Sequence, residues 1–171
     1  MISCMSDITH PHPHVVLIAC SASKLDTREP VPARQLYTGQ LFKLSLDYAE
    51  HVGALPFIVS AHRGLVLIDE PVITYDWSMN KMNMREREAW SLRTMSTLRT
   101  ALRPRVPSRV EVLAPKLYAE GLYGQLRYQA SEHQPSEQRW PEAEYPLKGL
   151  GIDEQKKKLR QAIDKLTLRA A

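Results

Sequence analysis

The chain has 171 residues, 25% charged and 43% apolar, a balance that excludes a disordered polymer and suits one folded domain. Its net charge of +4 admits a polyanionic partner without demanding one. No run approaches the roughly 20 apolar residues of a membrane span, and the opening residues lack the pattern of a secretory signal. Cys4 and Cys20 are too few for a disulfide framework, so the expectation is a cytoplasmic chain with no membrane partner.

Residues 1–13 read as a flexible tail, because each proline of His10-Pro11-His12-Pro13-His14 pushes its predecessor into extended backbone. Such a tail does not fix its histidines as metal ligands, and a single α/β domain is expected over 14–171. The apolar run from Val15 into Cys20 reads as a buried strand, followed by a loop through Leu25–Tyr37. A helix follows, with Thr38 as N-cap and Gly53 as its stop. Phe57–Val59 forms a second strand that ends in Ser60, Ala61, His62 and Gly64. A loop then leads to a long helix over Met84–Leu102. "RVEVLAP" is a third strand and "KLYAEGLYGQLRYQ" opens a third helix. Residues 131–145 form an exposed loop before a last helix, whose Lys156, Lys157, Lys158 and Arg160 make a wet face.

Strand and helix in alternation predict a three-layer fold, a mainly parallel sheet flanked by helices. Near-continuous apolar strands fit, because parallel strands are buried on both faces. In open parallel sheets ligands gather beyond the carboxyl ends of the strands. Ser21, Ser60 and Lys116 each follow an apolar strand in that position, so one shared crevice is expected.

Ser21, Ser23 and Lys24 offer hydroxyls, backbone N–H groups and a point charge suited to a phosphate or carboxylate, or else a plain polar turn. Cys20 ends a buried strand, where a thiol is more often a small core residue than a nucleophile. His62 stands where a general base or donor is useful, and Gly64 marks a special backbone conformation or a close approach. Asp69, Tyr75, Asp76 and Trp77 share a loop that suits ring stacking and water activation, or an ordinary solvated turn. Tyr118, with Lys116, opens the third helix towards the crevice.

"VVLIACSASKLD", "ARQLYTGQLFKLSLDYAE", "FIVSAHRGLVLIDEPVITYDWSM", "VLAPKLYAEGL" and "YPLKGLGIDEQKKKL" together resemble a domain family of bacteria and phages distantly related to YaaA-type peroxide-stress proteins. The wider group is similar in architecture to uracil-DNA-glycosylase-like domains. The resemblance implies that fold and chemistry on a base or N-glycosidic bond. The positions it carries over are Cys20, Ser21, Lys24, Tyr37, Ser60, Gly64, Leu65, Asp69, Tyr75, Asp76, Lys116 and Tyr118. The family places Lys and then His or Tyr before Gly-Leu, whereas this chain has His62-Arg63-Gly64-Leu65.

The resulting expectation is an enzyme on a nucleotide or nucleic acid, DNA ahead of RNA, acting as an N-glycosidic bond hydrolase or base transferase without cofactor or metal. Asp69 or Asp76 would activate water or steady the cationic sugar, and His62 would stabilise the departing base. Tyr37, Tyr75 or Trp77 would stack the ring, while Ser21 and Lys24 take the phosphate. The rival is a nucleic-acid-binding module with no catalysis.

Overall fold

The computed structural model describes residues 12–170; the expectation of a tail over 1–13 lies almost wholly outside them. Four strands form one sheet in the order β4-β3-β1-β6. Strands β1 (His14–Ala19), β3 (Leu55–Ser60) and β6 (Arg109–Leu113) are parallel, and β4 (Gly64–Leu67) runs antiparallel to β3. A small antiparallel pair, β2 (Val31–Pro32) with β5 (Pro71–Val72), lies apart from it.

Alternation along β1 explains its unbroken apolar run. Val15, Leu17 and Ala19 enter a core shared with α3 (Met84–Leu102) and α4 (Lys116–Ala130), while Val16 and Ile18 enter another with α2 (Gln40–His51) and α5 (Ile152–Ala170). The strand is buried on both faces, as a central parallel strand must be. Trp90, Leu98, Leu122 and Leu126 fill the first core; Phe42, Ala49, Ile58 and Leu159 fill the second. The chain is therefore an α/β fold with a mostly parallel sheet, as the strand and helix order predicted. No described helix is long and apolar enough to cross a membrane.

Helix α3 starts on a reciprocal cap. Asn83 Oδ1 accepts the Glu86 N–H at 3.0 Å, and Glu86 Oε2 accepts the Asn83 N–H at 2.7 Å. Helix α2 starts otherwise than expected. Gly39, not Thr38, occupies its cap position, and the Gly39 N–H donates to Ser21 Oγ at 3.0 Å. The serine after β1 thus does for the helix start what a side-chain cap would do.

The 25–37 loop contains a short helix, α1 (Ala33–Leu36), that a stretch rich in proline and charge concealed. Residues 131–145 are also more than an exposed loop. Trp140 is buried, and Glu144 joins the edge of β6, donating its N–H to Val110 O at 2.8 Å and accepting that of Val112 at 2.9 Å.

Candidate functional site

The carboxyl ends of β1 and β3 are neighbours, and Cys20 extends their pairing by donating its N–H to Val59 O at 3.0 Å. Beyond them the chain doubles back. Lys24 pairs with Tyr37, the Thr38 N–H donates to Ser23 O at 3.0 Å, and the Leu25 N–H donates to Leu36 O at 2.7 Å. This brings the stretch after β1 over Tyr37, which is completely buried.

Tyr75 is the hub. Its hydroxyl lies 2.8 Å from that of Tyr37 and 2.6 Å from Ser60 Oγ, and Ser60 Oγ also accepts the Arg63 N–H at 3.2 Å. The Lys24 ammonium sits 4.4 Å from the centre of the Tyr75 ring, and the exposed His62 imidazole lies 4.8 Å from it at a 31° tilt. A cation over an aromatic face contributes on the order of 0.5–1 kcal/mol at a wet site. Alongside, Cys20 Sγ is 3.4 Å from the Tyr118 hydroxyl, and Trp90 stands edge-on to the Tyr118 ring at 5.8 Å. The Trp90 N–H donates to Ser60 O at 2.8 Å, tying α3 to the end of β3.

Burial, followed by the neighbouring Cys20, raises the hydroxyls of Tyr75 and Tyr118 well above an ordinary phenol. Tyr37 is raised too, by burial, against the opposing hydrogen bond from Tyr75. The cluster is a set of neutral hydroxyls and one thiol, each able to turn as donor or acceptor.

Of the residues expected to share a site, Cys20, Lys24, Tyr37, Ser60, His62, Tyr75 and Tyr118 are brought together. Ser21 lies beside them but its hydroxyl is engaged by Gly39. Gly64 has φ 77°, and an added Cβ would come within 3.2 Å of Thr94 Oγ1, so its freedom serves the β3–β4 turn against α3. Leu65 packs into the core.

The carboxylates are not brought in. Leu67 pairs with Phe57, so the turn beyond it lies back along β3, away from Ser60. There Asp69 faces Arg34: the guanidinium donates from Nη2 to Oδ2 at 3.2 Å, and Nε lies 2.7 Å from Oδ1. Asp76 follows Tyr75, yet its carboxylate is 98% exposed and pairs with Lys81 at 3.1 Å. Lys116 points elsewhere as well, 84% exposed and 3.7 Å from Glu120. Among the described residues no group of three or more His, Cys, Asp or Glu is placed to hold a metal ion.

Trp90 is the residue that sequence reasoning missed here. Its place on the buried stripe of α3 was legible, but its bond to Ser60, thirty residues away, has no local signal.

Residues 15–161 match the model of a family of unknown function (DUF6884). The chain belongs to that family. No curated protein and no solved structure matches it.

Proposed function

We propose that the carboxyl ends of β1 and β3 engage a nucleotide unit, in DNA ahead of RNA or free, and that the protein acts on its N-glycosidic bond. The observation that carries this reading is the Tyr75 platform, a ring with the Lys24 ammonium at 4.4 Å and the His62 imidazole at 4.8 Å, its hydroxyl braced by Tyr37 and Ser60. Lys24 meets a phosphate, and a base lies against the exposed His62 imidazole. The sheet with helices on both faces is compatible with the resemblance to YaaA-type proteins and uracil-DNA-glycosylase-like domains, which supports the same substrate class.

With Asp69 and Asp76 held elsewhere, His62 donates a proton to the departing base as the C1′–N bond breaks, and solvent water adds to C1′ and gives up a proton. Positioned general acids of this kind contribute on the order of 10²–10⁴-fold. Turnover is therefore expected to depend on His62 rather than on Asp69 or Asp76. The second reading, a binding module without catalysis, is favoured by that same absence of a carboxylate from the cluster.

The test follows base release chromatographically, and binding by fluorescence anisotropy across a salt series, for single-stranded and duplex oligonucleotides. Lys24→Ala is expected to weaken binding and reduce the slope of log affinity against log salt by about one for duplex DNA. His62→Gln is expected to lower release about a hundred-fold or more while binding persists. Salt-dependent binding with no release of any base would select the binding module. No binding at all, or binding indifferent to Lys24→Ala and Tyr75→Phe, would overturn the site.

A further inference from the structure

A concavity of about 420 Å³ opens where α3 ends and the chain turns towards β6, lined by Arg99, Arg103, Arg105, Gln129, Trp140 and two further glutamines. This is the amino edge of the sheet, opposite the Tyr75 platform at the carboxyl ends of β1 and β3. Among the described residues no Asp or Glu lines it. The Arg103 N–H donates to Arg99 O at 3.1 Å, which sets the two one helical turn apart, and both are exposed. Neither side chain has a hydrogen-bond or ion-pair partner among the described residues. Arg105 is held in place, its Nε and Nη2 donating to Leu102 O and Ala101 O, each at 3.3 Å. Glu137, next to the lining Gln138, accepts the Ser136 hydroxyl at 3.2 Å instead. The wall is firm, because Trp140 is buried and its backbone N–H donates to Gln129 O at 3.0 Å. Gln129 is only 4% exposed, yet its side-chain amide has no hydrogen-bond partner among the described residues.

Cations near a helix C-terminus are ordinary, since they answer the partial negative charge there. That accounts for Arg99 and Arg103 singly, but like charges one turn apart oppose each other, and Arg105 adds a third from outside the helix. An anion seated in the concavity relieves that opposition. A carboxylate has two oxygens in one plane, and a single guanidinium fork occupies both. A phosphate spreads its oxygens over a tetrahedron, so several forks can hold it at once. Two linked phosphates suit two forks one turn apart, and the glutamine amides add neutral donors at the same wall.

We infer that the concavity at the end of α3 binds an anion with two linked phosphates, gripped by the Arg99 and Arg103 guanidinium groups. A free diphosphate and consecutive phosphates of a nucleic-acid strand share that chemistry. This site is separate from the Tyr75 platform and does not depend on the reading given for it.

Calorimetry with inorganic pyrophosphate at about 0.15 M ionic strength, where distant exposed charges are screened, tests it directly. Saturable binding is expected, about ten-fold or more weaker in the double variant Arg99→Gln/Arg103→Gln. Arg93→Gln/Arg169→Gln removes two exposed charges elsewhere and should stay within about two-fold of the wild type. All four side chains are exposed, so the ligand-free melting temperatures should barely move, while pyrophosphate should raise that of the wild type more than that of the Arg99/Arg103 variant. No saturable binding, or an equal loss in the two double variants, would overturn the inference. Competition against a fluorescent oligothymidylate separates the two sources. Displacement by pyrophosphate that vanishes in the Arg99/Arg103 variant upholds the site as one for a strand, and pyrophosphate binding without displacement upholds it as one for a free diphosphate. If pyrophosphate binding instead follows Lys24→Ala and ignores the arginine pair, this site falls while the nucleotide platform stands.

Discussion

The two ends of the sheet solve the same problem with opposite chemistry. At the amino ends of β1 and β6, Glu111 is buried at 1% exposure and fully answered by charge and hydroxyl. His14 Nε2 lies at 2.7 Å, the Tyr48 hydroxyl donates at 3.1 Å, and Arg109 donates at 3.3 Å while its fork holds Glu144 at 2.7 and 2.8 Å. At the carboxyl ends of β1 and β3 the cluster holds neutral hydroxyls and a thiol, with the cation and imidazole at its wet rim. A compensated charge network has one good arrangement and resists change. Rotatable hydroxyls have several of similar energy, so they can re-aim at a ligand at small cost.

The contrast breaks most sharply at Glu111. Glu111→Ala leaves His14 and the Tyr48 hydroxyl facing an apolar gap while Arg109 keeps Glu144, and urea denaturation should show a loss of about 3–5 kcal/mol, the range for removing one partner of a buried pair. At the other end, Ser60→Ala strands the Arg63 N–H and leaves the Tyr75 hydroxyl with that of Tyr37 alone. About 1–3 kcal/mol is expected there by the same measurement. A larger loss at Ser60 than at Glu111 would reverse the comparison.

The ends also answer to opposite limits of pH. Arg109 holds the Glu144 carboxyl below its usual range by hydrogen bonding, so that contribution is present above the ordinary carboxylate value of 4.5 and fades as pH falls through the lowered one. Burial raises Tyr37, Tyr75 and Tyr118, so the unfolded chain loses those protons first. Stability from the hydroxyl cluster is intact below about pH 10 and declines as pH rises beyond it. Denaturation midpoints between pH 9 and 11.5, with phenolate absorbance followed in parallel, should show that decline, and Tyr75→Phe should make it shallower. A flat profile would mean the cluster is open to water.

The smallest effect belongs to Asp76→Asn. Its exposed pairing with Lys81 predicts a stability change within about 0.5 kcal/mol, checked by thermal melts at two ionic strengths.

The parts legible in sequence were those whose cause is local. Val15–Ala19 had to be buried whichever neighbour covered it, and the polar residues straight after β1 and β3 marked the strand ends. The two-residue strands β2 and β5 left no periodicity to read, and β4 was not read as a strand because its four residues depend on pairing with β3. Tyr37, Ser60 and Tyr75 were each named as site residues, but their convergence on one hydroxyl joins positions up to 38 apart. The carboxylates misled for the same reason. Nothing near Asp69 announces Arg34, thirty-five residues earlier.

The short stretch around Glu144 has a consequence for how the molecule meets other chains. An open strand edge is a template on which a foreign strand can extend the sheet. Glu144 occupies the backbone of β6 from Val110 to Val112, and its carboxylate is pinned by Arg109 on the same strand, so self-recognition is blocked from within. The opposite edge relies on brevity, since β4 has only four residues. A nick in the chain near Glu142 would uncover β6 and convert the quiet edge into an adhesive one.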